Sequence, residues 1–316
     1  MAVPFTQQVA ASFDAIANEK GKGADQWSDT SCLNQLERMG GVKRVDGGPT
    51  LQMALDYRVN SGADFLATDT TSTATGKTDI LTATGPSWAT LVVPTNWTFT
   101  DEALNSSPNQ KVDLITQLAT NAMTSHDYTV EAAMFATTGG TDGFATFVDL
   151  FSEDGNGTVQ GIVASTETWW KNQFKDWGTD TGATLLSDYN TLYFSCAKGS
   201  DGRQPNLIVA NSTLYGSYIA ALTPQQRFMS ATSATSGFQN VTHINAQYIF
   251  SSVITSAQDS AWMWNTNDTA LFVVKGAFRK RRDPIDFAAV AMVNQKIFSV
   301  LQLATRNRSR GGVLFT

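Results

Sequence analysis

The chain has 316 residues, of which 42% are hydrophobic and 16% charged, a balance typical of a folded protein rather than a disordered one. Its formal net charge of -6 argues against a surface that binds nucleic acid throughout, because such binding requires cations that neutralise phosphates. No stretch approaches the run of about 18 apolar residues that a membrane helix needs, so we expect no membrane span. The length predicts about two domains, each long enough to bury a core.

Residues 1–46 predict short amphipathic helices. Their apolar residues recur at helical spacing: Phe5, Val9, Phe13 and Ile16, then Leu33, Leu36 and Met39. Such short pieces cannot bury their apolar stripes alone, so they must pack on the body of the protein or on a neighbouring molecule. Periodicity leaves open both an extended arm and an ordinary helical start of a globular domain. The start lacks the basic residues and the continuous apolar run of a secretory signal, so we expect no export.

Two alternating segments predict an extended hairpin. The apolar positions of the first are Leu51, Met53, Leu55, Tyr57 and Val59, and those of the second are Ala89, Leu91, Val93, Trp97 and Phe99. Between them, residues 61–80 are rich in Thr, Ser, Gly and Asp and contain Lys77. A two-stranded hairpin is marginal in water unless its apolar face covers something, which is either its own domain or a neighbouring molecule.

A long helix is predicted next. Ser107, Pro108 and Gln110 form a helix start in which Ser caps, Pro suits the first position and Gln completes a capping box. One apolar face then continues to about residue 135 through Val112, Ile115, Leu118, Ala119, Ala122 and Met123. The sequence Asp154-Gly-Asn-Gly157 predicts a turn.

From residue 182 onward, helix and strand patterns alternate, which predicts an α+β fold. The helices contain Leu185, Tyr189, Leu192 and Cys196, and then residues 214–222. The strands are expected at 207–209 and near 241–254, 261–264 and 270–274, with Trp262, Trp264, Phe272 and Val274 buried. No internal repeat is visible.

Catalytic and metal signatures fail for identifiable reasons. His126 and His243 are the only histidines, so zinc sites with several His or Cys ligands are not expected. Ser125, His126 and Asp127 are consecutive on a predicted helix, and we expect that they cannot line up the hydrogen bonds of a catalytic triad. Gly76-Lys77-Thr78 lacks the first glycine of a phosphate-binding loop, and the segment from Asp154 lacks the glycine and glutamate of a calcium loop. We predict no enzyme activity and no cofactor.

The cysteines and arginines suggest two further features. Cys32 and Cys196 lie far apart and offer only one pairing, so buried reduced thiols are expected rather than a disulfide framework. The basic run 279–282 and the later Arg306, Arg308 and Arg310 are expected to pair with acidic groups of neighbouring subunits rather than with phosphates, because Arg favours carboxylates at interfaces. The apolar end of the chain, after these arginines, is a segment that a soluble monomer has little reason to keep.

Several segments in order carry a family resemblance. They are Thr168-Trp-Trp-Lys-Asn-Gln173, Pro205-Asn-Leu-Ile-Val-Ala-Asn-Ser-Thr-Leu-Tyr215, Pro224-Gln-Gln-Arg-Phe228 and residues 285–316. With their order and spacing, the chain resembles the major capsid proteins of tailed phages, which have the Hong Kong 97-type coat fold. The resemblance covers most of the chain, best from Trp169 onward.

The resemblance implies a division of the chain into capsid parts. These are an N-terminal arm (1–46), an extended hairpin loop (47–100), a peripheral domain with a long spine helix (101–175, completed by strands at about 265–300) and an axial domain (176–264, with the tail 301–316 packing back). The hairpin would lie over the adjacent subunit. We expect that overlap to be non-covalent, although Lys77 stands near the tip, where one relative forms a Lys–Asn crosslink.

The resemblance also implies a function and partners. The chain would be the coat protein of a tailed double-stranded DNA phage, synthesised in the bacterial cytoplasm and built into the virion capsid as hexamers and pentamers. It would enclose DNA without sequence-specific binding. A separate scaffolding protein, a portal protein and an optional decoration protein are the implied partners, with no membrane. Candidate subunit-contact residues are Phe5, Phe13, Leu55, Tyr57, Lys77, Trp97, Arg279, Arg281, Arg282, Arg306, Arg308 and Arg310.

Two alternatives remain open at this point. An encapsulin-type compartment shares the fold but encloses a protein cargo instead of a genome. A soluble β-rich binding protein or hydrolase would also account for the composition without forming any shell.

Overall fold

A computed structural model describes residues 27, 31–60, 63, 79–105, 114–137, 141–178, 182–198, 203–222, 241–255, 259–286 and 291–316. Within these ranges the chain forms two six-stranded sheets, two small two-stranded sheets and the helices that pack on them. This architecture confirms the α+β class that the alternation of helix and strand patterns predicts.

The first described elements are helix α1 (Ser31–Arg38) and strand β1 (Val42–Val45). Helix α1 buries Leu33 and Leu36, as their spacing predicts. The earlier helical pattern, over residues 5–16, lies outside the described residues.

The hairpin region contains strands β2 (Met53–Asp56), β3 (Leu81–Thr84) and β4 (Ala89–Thr98), followed by helix α2 (Phe99–Asn105). The predicted pairing is wrong, because β2 pairs antiparallel with β3 and not with β4. The first strand is also shorter than its alternation predicts, since Val59 is 83% exposed. Phe99 starts a helix that the sequence analysis missed, instead of ending the second strand.

The long helix α3 spans Leu114–Met134 and ends where its apolar pattern predicts. The capping box at 107–110 lies outside the described residues. After it come helix α4 (Phe147–Leu150), which Thr146 caps, and the small strands β5 (Thr158–Val159) and β6 (Ile162–Val163). Gly155 and Gly157 adopt φ angles of 72° and 93°, which confirms the predicted turn.

The next elements follow the predicted alternation. They are strand β7 (Gln173–Asp176), helix α5 (Gly182–Cys196), strand β8 (Leu207–Ala210), helix α6 (Ser212–Ala221) and strands β9 (Val241–His243) and β10 (Ala246–Phe250). The C-terminal part contributes β11 (Ala261–Trp264), β12 (Thr269–Val274), β13 (Lys280–Arg281), β14 (Ile285–Asp286), β15 (Met292–Thr305) and β16 (Gly312–Phe315). The buried positions Trp262, Trp264 and Phe272 are confirmed, whereas Val274 is only half-buried.

The first large sheet is organised around β15. Its path runs β1-β12-β15-β13, and β4 and β14 also pair with β15. Strand β4 pairs antiparallel with β15 over its full length, from Ala89 opposite Leu301 to Thr98 opposite Met292. Strand β15 has 14 residues and can pair with all 10 residues of β4, whereas the hairpin strand β2 has only 4. Helix α3 packs on β4 and β15.

The second large sheet has the order β7-β16-β11-β8-β10-β9. The C-terminal strand β16 lies inside this sheet, between β7 and β11, and is largely buried. The apolar end of the chain is therefore covered within its own subunit. A side chain at Gly312 would collide with Leu192 and Cys196 of α5, so glycine permits this close approach.

The cores of the two sheets are continuous. The largest hydrophobic cluster combines residues of the first sheet, such as Leu271 and Leu301, with residues of the second, such as Trp262 and Val313. A second cluster fills the space between the second sheet and helices α5 and α6. Cys32 and Cys196 are buried in separate clusters as free thiols, which confirms their predicted state.

Candidate functional site: polar contacts of the long helix and subunit-contact residues

Helix α3 carries a buried carboxylate. Glu131 is fully buried, and its two carboxylate oxygens accept hydrogen bonds from the backbone N–H groups of Cys32 (3.2 Å) and Leu33 (3.0 Å). The Ser251 hydroxyl, just after β10, donates to the same carboxylate at 2.6 Å. The first N–H groups of a helix lack partners inside the helix and carry the positive end of its dipole, so an anion there is stabilising. Glu131 therefore holds the start of α1 against α3.

Helix α3 also carries the buried side chain of His126, which precedes Glu131 along the helix. The Nδ1 atom of His126 lies 2.9 Å from Asp127 Oδ1, and its Nε2 atom lies 2.7 Å from the Ser299 hydroxyl on β15. We predicted that Ser125, His126 and Asp127 cannot line up the hydrogen bonds of a triad. His126 and Asp127 do form one such bond, but the hydroxyl at His126 comes from Ser299 and not from Ser125. His126 and Ser299 are fully buried, so this hydroxyl is closed to a substrate. The three side chains join α3 to β15.

Arg279 extends this network to helix α1. Its guanidinium binds Glu37 Oε1 through Nη1 and Asp127 Oδ1 through Nε, each at 2.7 Å. Its backbone N–H donates to the Ser299 hydroxyl at 2.8 Å, and its φ of 51° is uncommon for a residue with a side chain. We predicted that Arg279 contacts a neighbouring subunit, but the structure uses its guanidinium inside its own chain, between α1 and α3.

Among the predicted subunit-contact residues, Arg308 is the one whose position differs most from the prediction. Its fully buried side chain donates to the oxygen atoms of Leu150 O (2.6 Å), Asn156 O (2.8 Å), Ser152 Oγ (3.0 Å), Gly155 O (3.2 Å) and Trp170 O (3.4 Å). Burial lowers the pKa of Arg308 to about 10, which leaves the guanidinium charged at neutral pH. Arg308 therefore holds the segment 150–157 on its own subunit and offers no exposed atom to another, which corrects its prediction as a subunit contact.

The other predicted arginines differ in how far their own chain engages them. Arg310 pairs with Asp268 at 3.2 Å, and both side chains are largely covered. Arg281, Arg282 and Arg306 are exposed, and in the part of the chain that the structure describes none of them has a carboxylate at ion-pair distance. For these three, contact with a neighbouring subunit stays a prediction.

The hairpin candidates also divide into covered and exposed residues. Leu55 and Trp97 are buried in their own subunit, so the apolar face of the hairpin base does not depend on a neighbour for burial. Tyr57 is half-buried, and its ring centroid lies 5.3 Å from that of Trp169 at the edge of a groove of about 440 Å³. The candidates Phe5, Phe13 and Lys77 lie outside the described residues.

Tyrosines and one histidine form a hydrogen-bonded aromatic cluster under helices α5 and α6. Tyr189 and Tyr248 share a 2.6 Å hydrogen bond between their hydroxyls, and the Tyr218 hydroxyl lies 2.9 Å from His243 Nδ1. The His243 Nε2 atom is buried without a hydrogen-bond partner in the described structure. Burial lowers the pKa of His243 to about 4, so the imidazole is neutral at physiological pH. This cluster gives the second sheet an acid-sensitive core.

The sequence analysis missed Glu131 and Ser299 as structural residues. Each interrupts an apolar pattern, because Glu131 follows buried Val130 on α3 and Ser299 lies on the face of β15 that also presents Ile297 and Leu301. A polar residue at a position where the pattern predicts an apolar one was the signal in the sequence that could have indicated these two residues. Such a residue must find a partner when it is buried.

Over the described ranges, no three His, Cys, Asp or Glu side chains gather as a metal site would require. The helices within the same ranges include none with the length and apolar character to cross a membrane.

The comparisons with known proteins rest on structure alone. No protein-family model matches the chain, and no curated protein matches it. The capsid of Myoviridae phage XM1 is 12% identical with a TM-score of 0.61, and the match covers 94% of this chain and 95% of that chain. The capsid of a native GTA particle is 14% identical with a TM-score of 0.63, covering 95% and 98%.

An encapsulin gives a lower score. The holo-SrpI encapsulin complex of Synechococcus elongatus PCC 7942 is 11% identical with a TM-score of 0.54, covering 100% of this chain and 96% of that chain. At these identities the likeness is one of fold, and it extends over nearly the whole length of each partner in the comparison. The chain therefore has the α+β capsid fold of the Hong Kong 97 type.

Proposed function

We propose that the chain is the major capsid protein of a tailed double-stranded DNA phage, which assembles through hexamers and pentamers into an icosahedral shell around the genome. The observation that carries this proposal is the near-complete mutual coverage with the capsid structures of phage XM1 and the GTA particle. A fold shared from end to end leaves little of this chain for an added domain. The net charge of -6 supports enclosure of DNA rather than extensive binding to it.

The two sheets support a division into peripheral and axial domains. We assign the sheet around β15, with helix α3 as the spine helix, to the peripheral domain (101–175 and about 265–300), and strands β1 and β4 join this sheet from the ranges of the proposed arm and hairpin. We assign the other large sheet, with α5 and α6, to the axial domain (176–264 with 301–316). Strand β7 (Gln173–Asp176) pairs with β16, which favours a boundary just before β7 rather than within it. Residues 1–46 would be the arm and residues 47–100 the extended hairpin.

The buried polar network suits a shell subunit. Glu131 and Arg279 bind α1, which belongs to the proposed arm, to the spine helix, so this part of the arm is anchored on its own subunit. Repeated contacts of moderate strength then close a shell in which the loss of one subunit requires several contacts to break together. We propose a scaffolding protein, a portal protein and an optional decoration protein as partners, synthesis in the bacterial cytoplasm and a place in the virion capsid.

An encapsulin-type compartment is the second candidate, because its structural match covers the whole chain. Its TM-score of 0.54 lies below the 0.61 and 0.63 of the two phage-like capsids, which favours the phage reading. The two candidates differ in particle content. Purified particles that protect nucleic acid support the phage capsid, and particles loaded with one co-purified enzyme support the compartment.

The test is expression of the full chain with and without its scaffolding protein. Size-exclusion chromatography and electron microscopy should show capsomers or closed shells. A chain that stays at 34.1 kDa under all concentrations and salt conditions, while circular dichroism shows that it is folded, overturns the proposal.

A further inference from the structure

An apolar pocket lies beside helix α3. Its volume is about 230 Å³, and its lining residues Thr129 and Asp142 are exposed, so the pocket reaches the surface. The other side chains that line it are mainly apolar and come from β4, α3, β15 and the residues before α4: Ala89, Leu91, Val130, Ala133, Phe144 and Leu301. A cavity of about 150 Å³ between apolar side chains can bind benzene, so this pocket can take one aromatic side chain.

The chain before α1 lies on the same helix. The Trp27 ring centroid is 5.4 Å from that of Tyr128 on α3, and the two rings meet edge to face. Tyr128 directly precedes the pocket residue Thr129, which lies about 100° further around the helix. Residues 1–26 therefore join the body of the subunit at a point on α3 that is close to the pocket.

The segment 17–26 is long enough to serve as a linker between Trp27 and the pocket. It includes Gly21 and Gly23, and its other residues are mostly polar. Fully extended, a segment of this length spans up to about 35 Å. A helix with its side chains is only about 10–12 Å wide, so the linker can carry the preceding residues around α3 to the pocket.

The residues before this linker contain apolar side chains at helical spacing, which are Phe5, Val9, Phe13 and Ile16. An isolated helix of this length is marginal in water, so the apolar stripe needs a surface to cover it. Phe13 is the aromatic residue of the stripe that lies nearest to the linker, and its phenyl ring has the size of group that the pocket accommodates. Segment 5–16 is therefore the part of the chain whose chemistry and position fit the pocket.

We infer that segment 5–16 of the unassembled subunit docks on its own helix α3, with the Phe13 ring in the pocket. A short flexible tether gives an effective concentration in the millimolar range, so at micromolar subunit concentrations the segment of the same chain outcompetes that of another copy. The docked segment withholds Phe5 and Phe13, which we predict as contacts between subunits, until a neighbouring subunit displaces it. This consequence rests on the proposed capsid function, whereas the docking itself does not.

Disulfide trapping in the full chain tests the docking. The pocket pair carries Ile16→Cys on the apolar stripe and Thr129→Cys at the pocket, and the matched control pair carries Ile16→Cys and Thr120→Cys. Thr120 is exposed on the same helix, about 14 Å from Thr129 along its axis. A third variant adds Phe13→Ala to the pocket pair. The two native cysteines are buried, and mass spectrometry of proteolytic fragments identifies each disulfide that a mild oxidant forms in the folded, unassembled subunit.

We expect the pocket pair to form its disulfide about tenfold or more faster than the control pair, and Phe13→Ala to remove most of that difference. Equal rates in the two pairs, or no effect of Phe13→Ala, overturn the inference. Mixed single-cysteine variants should give little disulfide-linked dimer, and efficient dimer formation overturns the inference because the segment of another copy then occupies the pocket. Oxidised pocket-pair subunits should not assemble until a reductant is added, and their normal assembly contradicts the withheld contact. A wild-type chain that never assembles refutes the proposed function but leaves the trapping result intact, which separates the two failures.

Discussion

Replacing Arg308 with methionine should destabilise the subunit strongly, because the buried guanidinium satisfies several oxygen atoms that water reaches poorly. The two shortest contacts, to Leu150 O at 2.6 Å and Asn156 O at 2.8 Å, are charge-assisted hydrogen bonds of roughly 1.5–3 kcal/mol each. Removal of one partner from a buried charged pair costs about 3–5 kcal/mol once the release of the buried charge is included. We therefore expect the free energy of unfolding to fall by about 4 kcal/mol.

Urea denaturation of the unassembled subunit, followed by tryptophan fluorescence, measures this loss. Arg306→Met is the matched control, since Arg306 is exposed and only lies over the Phe272 ring at 5.6 Å. It should cost less than about 1 kcal/mol. Arg308→Lys should fall between the two, because an ammonium keeps the charge but cannot span the same set of acceptors. If Arg308→Met unfolds within about 1 kcal/mol of Arg306→Met, the guanidinium does not hold segment 150–157 as we argue.

Three further predictions address the other polar groups. Glu131→Gln turns an amide toward N–H donors, so it should lower the free energy of unfolding by about 2–3 kcal/mol and speed hydrogen exchange in the first turn of α1; unchanged exchange there contradicts the capping role. The pKa of His243 is about 4 in the fold and ordinarily 6.5, so the unfolded chain binds more protons between these values and stability falls as pH drops through that window, by about 3 kcal/mol. Urea titrations at pH 7, 5 and 4 should show this loss in the wild type and a smaller one in His243→Gln, and equal losses in both would refute it. Ser299→Ala should destabilise by about 1–2 kcal/mol through the loss of bonds to His126 and to the Arg279 amide, and a neutral result in the same assay speaks against that network.

The local elements of the fold could be predicted well, because each depends on periodicity within a short window. The 3.6-residue spacing places Leu185, Tyr189 and Leu192 on one face of α5, and all three are buried. In strand β11 the side chains alternate between two buried faces. Trp262 faces the core that joins the two sheets, and Met263 faces the core under helices α5 and α6. Hydrophobic pattern encodes which face is buried, whatever partner covers it.

The wrong predictions concern which strands lie beside each other in the sheets. The alternation at 89–97 is a correct strand, but alternation carries no information about which strand lies beside it. Strand β4 pairs with β15, about two hundred residues away, which supplies pairing partners along its whole length. For the same reason, alternation could not tell whether the base of the hairpin covers its own domain or a neighbouring molecule, and the structure shows that Leu55 is buried within the subunit.

By itself, the sequence determined the α+β class, the buried faces of its helices and strands, the reduced cysteines and the order of segments that resembles phage coat proteins. Only the tertiary structure decided that Arg308 is a buried support rather than a subunit contact, and that Glu131, His126 and Ser299 join α1, α3 and β15. The physical reason is that apolar burial is non-directional and repeats along the chain, whereas a hydrogen bond between distant residues exists only once the fold has brought both partners to within about 3 Å.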